Sequence, residues 1–150
     1  MTTGQHTSNS VQSIRELATR YAKAWNDHDI DAIMSMHAPQ SAFHLHVHPY
    51  PEASTHEEIR AQFEGFFKAM PDMTFETVRL QVCEGLFVHE WFIMCTLAEP
   101  FPIGNSAGQP DGKAIRFKGV DIIPCEDGLV KRKDCYFDGV GLELQLTFPD

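Results

Sequence analysis

The first third of the chain carries apolar residues at helical spacing. Between residues 11 and 25 they recur three or four positions apart, so they share one face of an α-helix. This face consists of Val11, Ile14, Leu17, Ala18, Tyr21, Ala22 and Trp25. Polar residues 26–29 end the helix, and Asp29 can cap a short second helix over residues 30–37, which Pro39 prevents from continuing.

Residues 42–48 alternate strictly between apolar and polar side chains. This period of two predicts a β-strand with three histidines, His44, His46 and His48, on one face. The next pattern is a capping box at residues 55–58, followed by an apolar stripe at helical spacing. It predicts a third helix.

The chain after Pro71 predicts antiparallel strands joined by tight turns. Glycine follows an acidic residue at positions 84–85 and 127–128, as in two-residue hairpins. The predicted strands cover residues 73–82, 86–97, 114–125 and 129–137. Helices followed by antiparallel strands predict an α+β fold. We expect one domain over residues 10–150, after a disordered tail over residues 1–9.

The segment over residues 99–112 is unusual for a compact domain. It is rich in proline, glycine and small polar residues, and it is long for a connection between strands. Two interpretations are open: a loop at the rim of a binding pocket, and a tolerated insertion.

Composition and charge narrow the class of protein. Of the 150 residues, 43% are hydrophobic and 22% charged, as in an ordinary globular domain. The net charge of −9 argues against nucleic acids and anionic membranes as partners. No apolar run approaches the roughly 18 residues of a membrane span, and the polar start lacks a signal-peptide pattern, so we expect a cytoplasmic protein. The four cysteines form no CxxC pair, which favours buried thiols over disulfides or a zinc site.

One acid interrupts an apolar strand face. Asp121 shares its face with Ile115, Phe117, Ile123 and Cys125. An acid there is costly unless it is paired, hydrogen-bonded or protonated. A two-residue turn at 127–128 would place Asp134 opposite Asp121, and two close carboxylates would raise one pKa further. Asp121 is therefore a candidate for catalysis or a structural acid with a backbone or tyrosine partner. Asp134 is a second candidate or a solvated charge beside the basic residues that precede it.

The three histidines of the first strand raise the question of a metal site. The outer two, His44 and His48, lie about 13 Å apart at 3.3 Å per residue, so all three cannot bind one ion. Two of them would need a remote ligand, for which the sequence offers no strong candidate. We therefore expect no metal and no other cofactor. The histidines form either a polar pocket wall or a wet outer face of the sheet.

Short strings along the chain carry a family resemblance. They are Tyr21 to Asp29, Pro71 to Met73, Gly119 to Ile122, Glu126 to Gly128, and Tyr136 to Asp138 followed by Leu142, Gln145 and Leu146. Their order and type resemble the nuclear transport factor two-like superfamily, in particular its SnoaL-like polyketide cyclases and ketosteroid isomerases. The resemblance implies a cystatin-like cone, in which a curved antiparallel sheet wraps three N-terminal helices around a pocket for one small apolar molecule.

The resemblance to ketosteroid isomerases implies three catalytic positions. The oxyanion tyrosine falls on Tyr21, and a protonated aspartic acid that donates to the same oxyanion falls on Asp121. The proton-shuttling carboxylate of that family falls on His48, where an imidazole can serve as the base. The cyclase and epoxide hydrolase patterns place an aspartate at Cys135, so Asp134 can take that role only if the strand carries a bulge.

The candidate substrate contacts are polar and aromatic side chains of the predicted strands: His46, His89, Trp91, Phe117 and Tyr136. For Tyr21, and for all of these except His46 and Tyr136, packing in the core is the alternative. The resemblance implies a cofactor-independent isomerase, cyclase or related lyase acting on a small apolar carbonyl compound of polyketide, steroid or terpenoid type. The alternatives are epoxide hydrolysis of the limonene-epoxide type and a non-catalytic binding or dimerisation module. Because the convex sheet face is left uncovered, we also expect a homodimer through that face.

Overall fold

Three helices pack on the concave side of a bent sheet in this computed structural model, which describes residues 9–150. The helices are α1 (Val11–Asn26), α2 (Ile30–Ser35), α3 (His56–Ala69) and a short α4 (Gly139–Glu143). Side-chain oxygens cap the first three, those of Ser10, Asp29 and Thr55, and the capping box of α3 is complete. The predicted tail over residues 1–9 lies outside the described residues except for its last position.

The described residues form seven strands: five follow the predicted order, the first of them beginning and ending earlier than the predicted 42–48, and two short ones lie in the 99–112 segment, where no strand was predicted. The seven strands are β1 (His37–Leu45), β2 (Thr74–Cys83), β3 (Leu86–Thr96), β4 (Phe101–Ile103), β5 (Ser106–Gly108), β6 (Ala114–Glu126) and β7 (Leu129–Phe137). Five of them form one unclosed sheet in the order β1-β7-β6-β3-β2, and β4 and β5 form a small hairpin within the 99–112 segment. The predicted α+β cone is confirmed.

The sheet is mixed, which corrects the prediction of a wholly antiparallel one. β1 runs parallel to its only neighbour, β7, and His44 lies directly beside Asp134 in this pair. A parallel pair is possible because the chain between β1 and β7 is long enough to return to the same end of the sheet. β1 is an edge strand, and this position also explains why it tolerates Pro39.

The hairpin between β6 and β7 contains the irregularity that shapes the site. Its turn is the predicted two-residue turn, with positive φ of 52° at Asp127 and 74° at Gly128. Further along, the register slips by one residue, so that Asp121 lies opposite Cys135 instead of Asp134. The predicted pairing of two carboxylates is therefore wrong, because a β-bulge on β7 inserts one extra residue between the turn and Asp134.

The core lies between the helices and the concave face of the sheet. Its largest fully buried side chains include Trp91, Phe43, Phe63 and Phe87. Among the described residues, no helix is both long and apolar enough to cross a membrane.

Candidate active site

An apolar cavity lies between helices α1 and α3 and the concave side of the sheet. Its volume is about 50 Å³, and the surrounding free space, which includes open solvent, is about 460 Å³. Aromatic rings supply most of its wall: Trp25, Phe43, Phe66, Phe75, Trp91, Phe101, Phe117 and Phe137. Of the described lining residues, Asp121 and Lys133 alone carry charge. The cavity therefore suits a small apolar molecule with one polar end.

Asp121 and Lys133 form a buried ion pair at the wall of this cavity. Lys133 Nζ lies 3.2 Å from Asp121 Oδ2, and the two side chains are only 5% and 3% exposed. Burial alone would lower the pKa of Lys133, but the charge and hydrogen bond of Asp121, together with Tyr21 and Cys135, outweigh it, so the pKa of Lys133 is raised. The ammonium group also lies 4.1 Å from the centre of the Trp25 ring. Lys133 is therefore held as a cation.

One oxygen of this pair has no partner within the described residues. Asp121 Oδ1 is buried and accepts no hydrogen bond from the protein. The indole N–H group of Trp91, a further cavity residue, is also buried without a partner. Buried polar atoms are nearly always satisfied, so unpaired atoms around one cavity point to a ligand or to water there.

The β-bulge on β7 explains why Lys133 is inside. Lys133, Cys135 and Phe137 alternate along the strand and all line the cavity, whereas Val130 is buried on the other side of the bulge. On the neighbouring strand, Gly119 leaves space for the Trp91 ring, because a Cβ atom at Gly119 would lie 2.4 Å from that ring. The lack of a side chain at Gly119 and the extra residue of the β7 bulge together shape this wall of the cavity.

Tyr21 belongs to a separate group of buried polar side chains that are linked by hydrogen bonds. Its hydroxyl lies 2.9 Å from His37 Nε2, and His37 Nδ1 lies 3.1 Å from Ser41 Oγ. Burial, followed by the nearby Lys133 charge, lowers the pKa of His37 to about 3, so this imidazole is neutral. Burial raises the pKa of Tyr21. The hydroxyl of Tyr21 is therefore neutral and already engaged by His37.

The buried His37 predicts a pH dependence of stability. Above pH 6.5 His37 is neutral in both the folded and the unfolded protein. Below pH 6.5 His37 of the unfolded chain binds a proton, whereas His37 of the folded chain stays neutral until the pH falls to about 3. The free energy of unfolding should therefore fall by about 1.4 kcal/mol per pH unit from this group as pH drops from 6.5 to 5. Urea denaturation at several pH values measures this slope. His37→Gln should reduce it and the exposed His48→Gln should not; equal slopes for wild type and His37→Gln would contradict the assignment.

His89 and Tyr21 meet the ion pair on its other side. A much smaller cavity is lined by Tyr21, His89, Asp121 and Lys133. His89 pairs with Asp121 across β3 and β6, and its Nε2 lies 2.8 Å from Thr77 Oγ1. Burial lowers the pKa of His89 despite the opposing charge of Asp121. The structure thus brings Tyr21, His89 and Asp121 together, with Trp91 and Phe117 in the adjoining main cavity.

Four predicted site residues lie elsewhere. His46, Asp134 and Tyr136 are on the outer face of the sheet, where His46 bonds to Asp134 and stacks on Tyr136 with ring centres 4.1 Å apart. His48 is exposed and lines an open groove beyond the end of β1. Neither His48 nor Asp134 lines the cavity that holds Asp121. Tyr21, His48 and Asp121 therefore do not meet at one cavity, because β1 ends at Leu45, before His48.

The sequence profile of the SnoaL-like domain matches residues 18–133, more than half of the chain. The chain belongs to the SnoaL-like family. A provisionally assigned SnoaL-like polyketide cyclase from Jannaschia sp. CCS1 has a TM-score of 0.79 at 17% identity, with 98% of this chain and 100% of that chain covered. AclR from Streptomyces galilaeus, a provisionally assigned hydroxylase, has 0.77 at 22% identity, with 94% and 89% covered. A provisionally assigned ketosteroid isomerase from Kribbella flavida has 0.65 at 16% identity, with 89% and 82% covered.

These likenesses establish the fold of the SnoaL-like chain, the cone of the nuclear transport factor two-like superfamily. A search of curated proteins found no significant match. The resemblance predicted from the short sequence strings is confirmed.

Lys133 is the central site residue of this SnoaL-like protein that the sequence patterns did not identify. Counted from the turn at 127–128, strand alternation places Lys133 on the outer face, together with Lys131. Counted backwards from Phe137 through Cys135, the same alternation places it inside. The two counts disagree because the β-bulge lies between their two starting points, the turn and Phe137. This disagreement is the sequence signal that could have indicated the inward position of Lys133.

The site of the SnoaL-like chain combines a desolvated carboxylate, a fixed cation and an apolar wall. The Asp121 carboxylate has one oxygen free of hydrogen bonds, so that oxygen is available to accept a proton. An ammonium group beside it can stabilise negative charge that develops on a ligand in a low-dielectric cavity. This arrangement can move a proton and hold the resulting anion.

Proposed function

We propose that this SnoaL-like protein is an isomerase, cyclase or related lyase that removes a proton next to the carbonyl group of a small apolar compound. Polyketide, steroid and terpenoid fragments are the substrate types that suit an aromatic cavity with one charged end. The observation that carries the proposal is Asp121 Oδ1, a buried carboxylate oxygen with no partner at the wall of the cavity. The family assignment supports a cyclase or isomerase type of reaction.

In the proposed reaction, Asp121 is the base. Asp121 Oδ1 takes a proton from the carbon next to the carbonyl, and the electron pair of that C–H bond moves onto the carbonyl oxygen as an enolate. The ammonium group of Lys133 lies beside Asp121. It therefore faces the negative charge of the carboxylate before the proton transfer and the negative charge of the enolate oxygen after it. Protonated Asp121 then returns the proton to another carbon, or the enolate carbon attacks a second carbonyl, whose oxygen takes the proton from Asp121.

This assignment differs from the roles that the family resemblance implied. Because Asp121 forms an ion pair with Lys133, we assign Asp121 as the base, and Lys133 replaces it as the partner of the oxyanion. Tyr21 keeps a supporting role, because its hydroxyl is bonded to His37 and its ring centre lies 5.2 Å from Lys133 Nζ. The exposed His48 has no part in the proposed reaction.

A substrate screen with a blocked cavity tests the proposal. Small apolar ketones and epoxides are incubated with the wild-type protein, and turnover is followed by NMR. We expect turnover of at least one ketone and its loss in Cys135→Phe, which places a ring in the cavity, while Cys83→Phe on an exposed position retains it. Turnover of an epoxide alone would replace the proposal with hydrolysis. Turnover that survives Cys135→Phe would place the reaction elsewhere.

We also expect a homodimer through the convex face of the sheet. Ile122 on β6 is 39% exposed on this face although its neighbours Asp121 and Ile123 are buried. Exposed apolar sheet faces commonly bind a second copy. Light scattering at micromolar concentration should give twice the 17.0 kDa chain mass. Ile122→Arg should shift the mass to that of the monomer, and Val140→Arg on α4 should not; a monomeric wild type would contradict the expectation.

A further inference from the structure

A cluster of potential metal ligands lies on the outer face of the sheet, away from the cavity. His44 lies on β1, His46 directly follows the last residue of β1, and Asp134 lies on the neighbouring β7. We propose that His44, His46 and Asp134 bind one divalent transition-metal ion of the zinc type. This site is independent of the proposed reaction, because the side chains that β7 sends into the cavity, Lys133 and Cys135, flank Asp134 on the opposite face.

The parallel pairing of the two strands creates the cluster. His44 lies directly beside Asp134 in the register of β1 and β7, and His46, just beyond the end of β1, continues the pairing by donating its backbone N–H to the Cys135 carbonyl oxygen. One ligand atom from each of the three side chains lies within 4.8 Å of the other two. His46 Nε2 is 2.7 Å from Asp134 Oδ1, and the rings of His44 and His46 have centres 3.9 Å apart. The three groups already converge.

Small side-chain movements would complete the coordination. Ligand atoms at 2.0–2.2 Å from a tetrahedral ion lie about 3.3 Å from one another. The His46–Asp134 contact would therefore open slightly, and His44 would move inward. Apart from its stacking on Tyr136, His46 is exposed in the single chain, and His44 and Asp134 are half-buried, so these rotations meet little packing there. Ile122 lies opposite Asp134, so the homodimer that we expect through Ile122 would place its contact beside the cluster. An open groove beside His44 and His46 leaves room for a water ligand.

Neighbouring residues orient the cluster and supply its charge. Arg132 holds Asp134 through two contacts, Nε to Oδ2 at 2.7 Å and Nη2 to Oδ1 at 2.8 Å, and Arg132 also bonds to Glu52. The Tyr136 ring stacks flat on His46. Two carboxylates against one guanidinium leave a net negative charge beside two imidazoles, which a divalent cation complements. Outer partners that fix ligand orientation are typical of metal sites.

The donor set selects the class of ion. Two imidazole nitrogens and one carboxylate oxygen with an open position suit zinc and similar transition metals, whereas calcium and magnesium prefer oxygen ligands alone. The sequence alone did not indicate a third ligand for His44 and His46, because Asp134 lies 88 residues after His46 in the chain. The parallel β1–β7 pair supplies it.

Calorimetric titration of the metal-free protein, with any purification tag removed, tests the site. Zn²⁺ should bind with one equivalent, and Mg²⁺ should not compete. His46→Ala and Asp134→Asn should each weaken zinc binding by at least about tenfold, whereas His48→Ala, a neighbouring histidine outside the cluster, should not. Melting curves confirm that each variant is folded, and zinc should raise the melting temperature of the wild type but not of His46→Ala.

The outcomes separate this site from the proposed reaction. Absence of zinc binding at 100 times the protein concentration overturns the metal proposal, as does equal binding by wild type and His46→Ala or an equal loss in His48→Ala. Removal of zinc with a chelator should leave turnover in the cavity unchanged, because the ion lies on the other face of the sheet. Turnover that is lost with zinc would count against the proposed metal-free reaction instead.

Discussion

Replacing Lys133 with methionine should destabilise the protein by about 3–5 kcal/mol and abolish turnover. The substitution leaves the Asp121 carboxylate buried without its counterion, and removal of one partner of a buried ion pair has this order of cost. It also removes the cation that we assign to the enolate oxygen. Urea denaturation measures the free energy of unfolding. The matched control is Lys131→Met on the same strand, because Lys131 is half-exposed and pairs only with Glu126 at the surface.

A double substitution separates stability from chemistry at this pair. Asp121→Leu with Lys133→Met removes both charges, so it should recover most of the stability that Lys133→Met loses. It should remain inactive, because neither base nor cation is left. A Lys133→Met variant whose unfolding free energy lies within 1 kcal/mol of that of Lys131→Met would show that the pair is solvated, which contradicts its burial.

Asp121→Asn should reduce kcat/KM by about 10²–10⁴, the usual contribution of a positioned general base. Asparagine keeps the size of the side chain and a hydrogen-bond donor, but it cannot accept the substrate proton. The variant also leaves Lys133 without its partner, so the rate must be expressed per folded molecule. Glu126→Gln, on the same strand but at the exposed hairpin, serves as the control for loss of a carboxylate.

This substitution also distinguishes the base from the oxyanion donor that the family resemblance implied. A protonated Asp121 that donates a hydrogen bond would be replaced well by asparagine, and most of the rate would remain. A structural Asp121 would give a less stable protein with unchanged turnover per folded molecule. A large loss of rate in Asp121→Asn is therefore expected only of the base.

Local sequence patterns predicted most of the elements because each is encoded nearby. The capping oxygens of Asp29 and Thr55, the apolar stripes and the turn at 127–128 all act within a few residues of where they stand. The buried face of β6 was also predicted, including Asp121 within it. These features depend on periodicity and turn chemistry rather than on distant contacts.

The parts that the sequence did not predict depend on how distant segments pair. The parallel direction of β1 is set by where the chain returns after β6, not by residues 37–45 themselves. The bulge on β7 has no glycine or proline to mark it, yet it moves Lys133 to the inside and keeps Asp134 outside. One inserted residue therefore replaced a predicted pair of carboxylates with an ion pair.

Exchange of carbon-bound protons with solvent tests the role of Asp121 most directly. A ketone that the protein turns over is incubated in D₂O, and deuterium at the carbon next to the carbonyl is followed by NMR for wild type and Asp121→Asn. If Asp121 is the base, we expect exchange above the buffer rate with the wild type and at least a hundredfold slower exchange with Asp121→Asn. Equal exchange rates for the two folded proteins would contradict this role, because the proton would then be removed by another group.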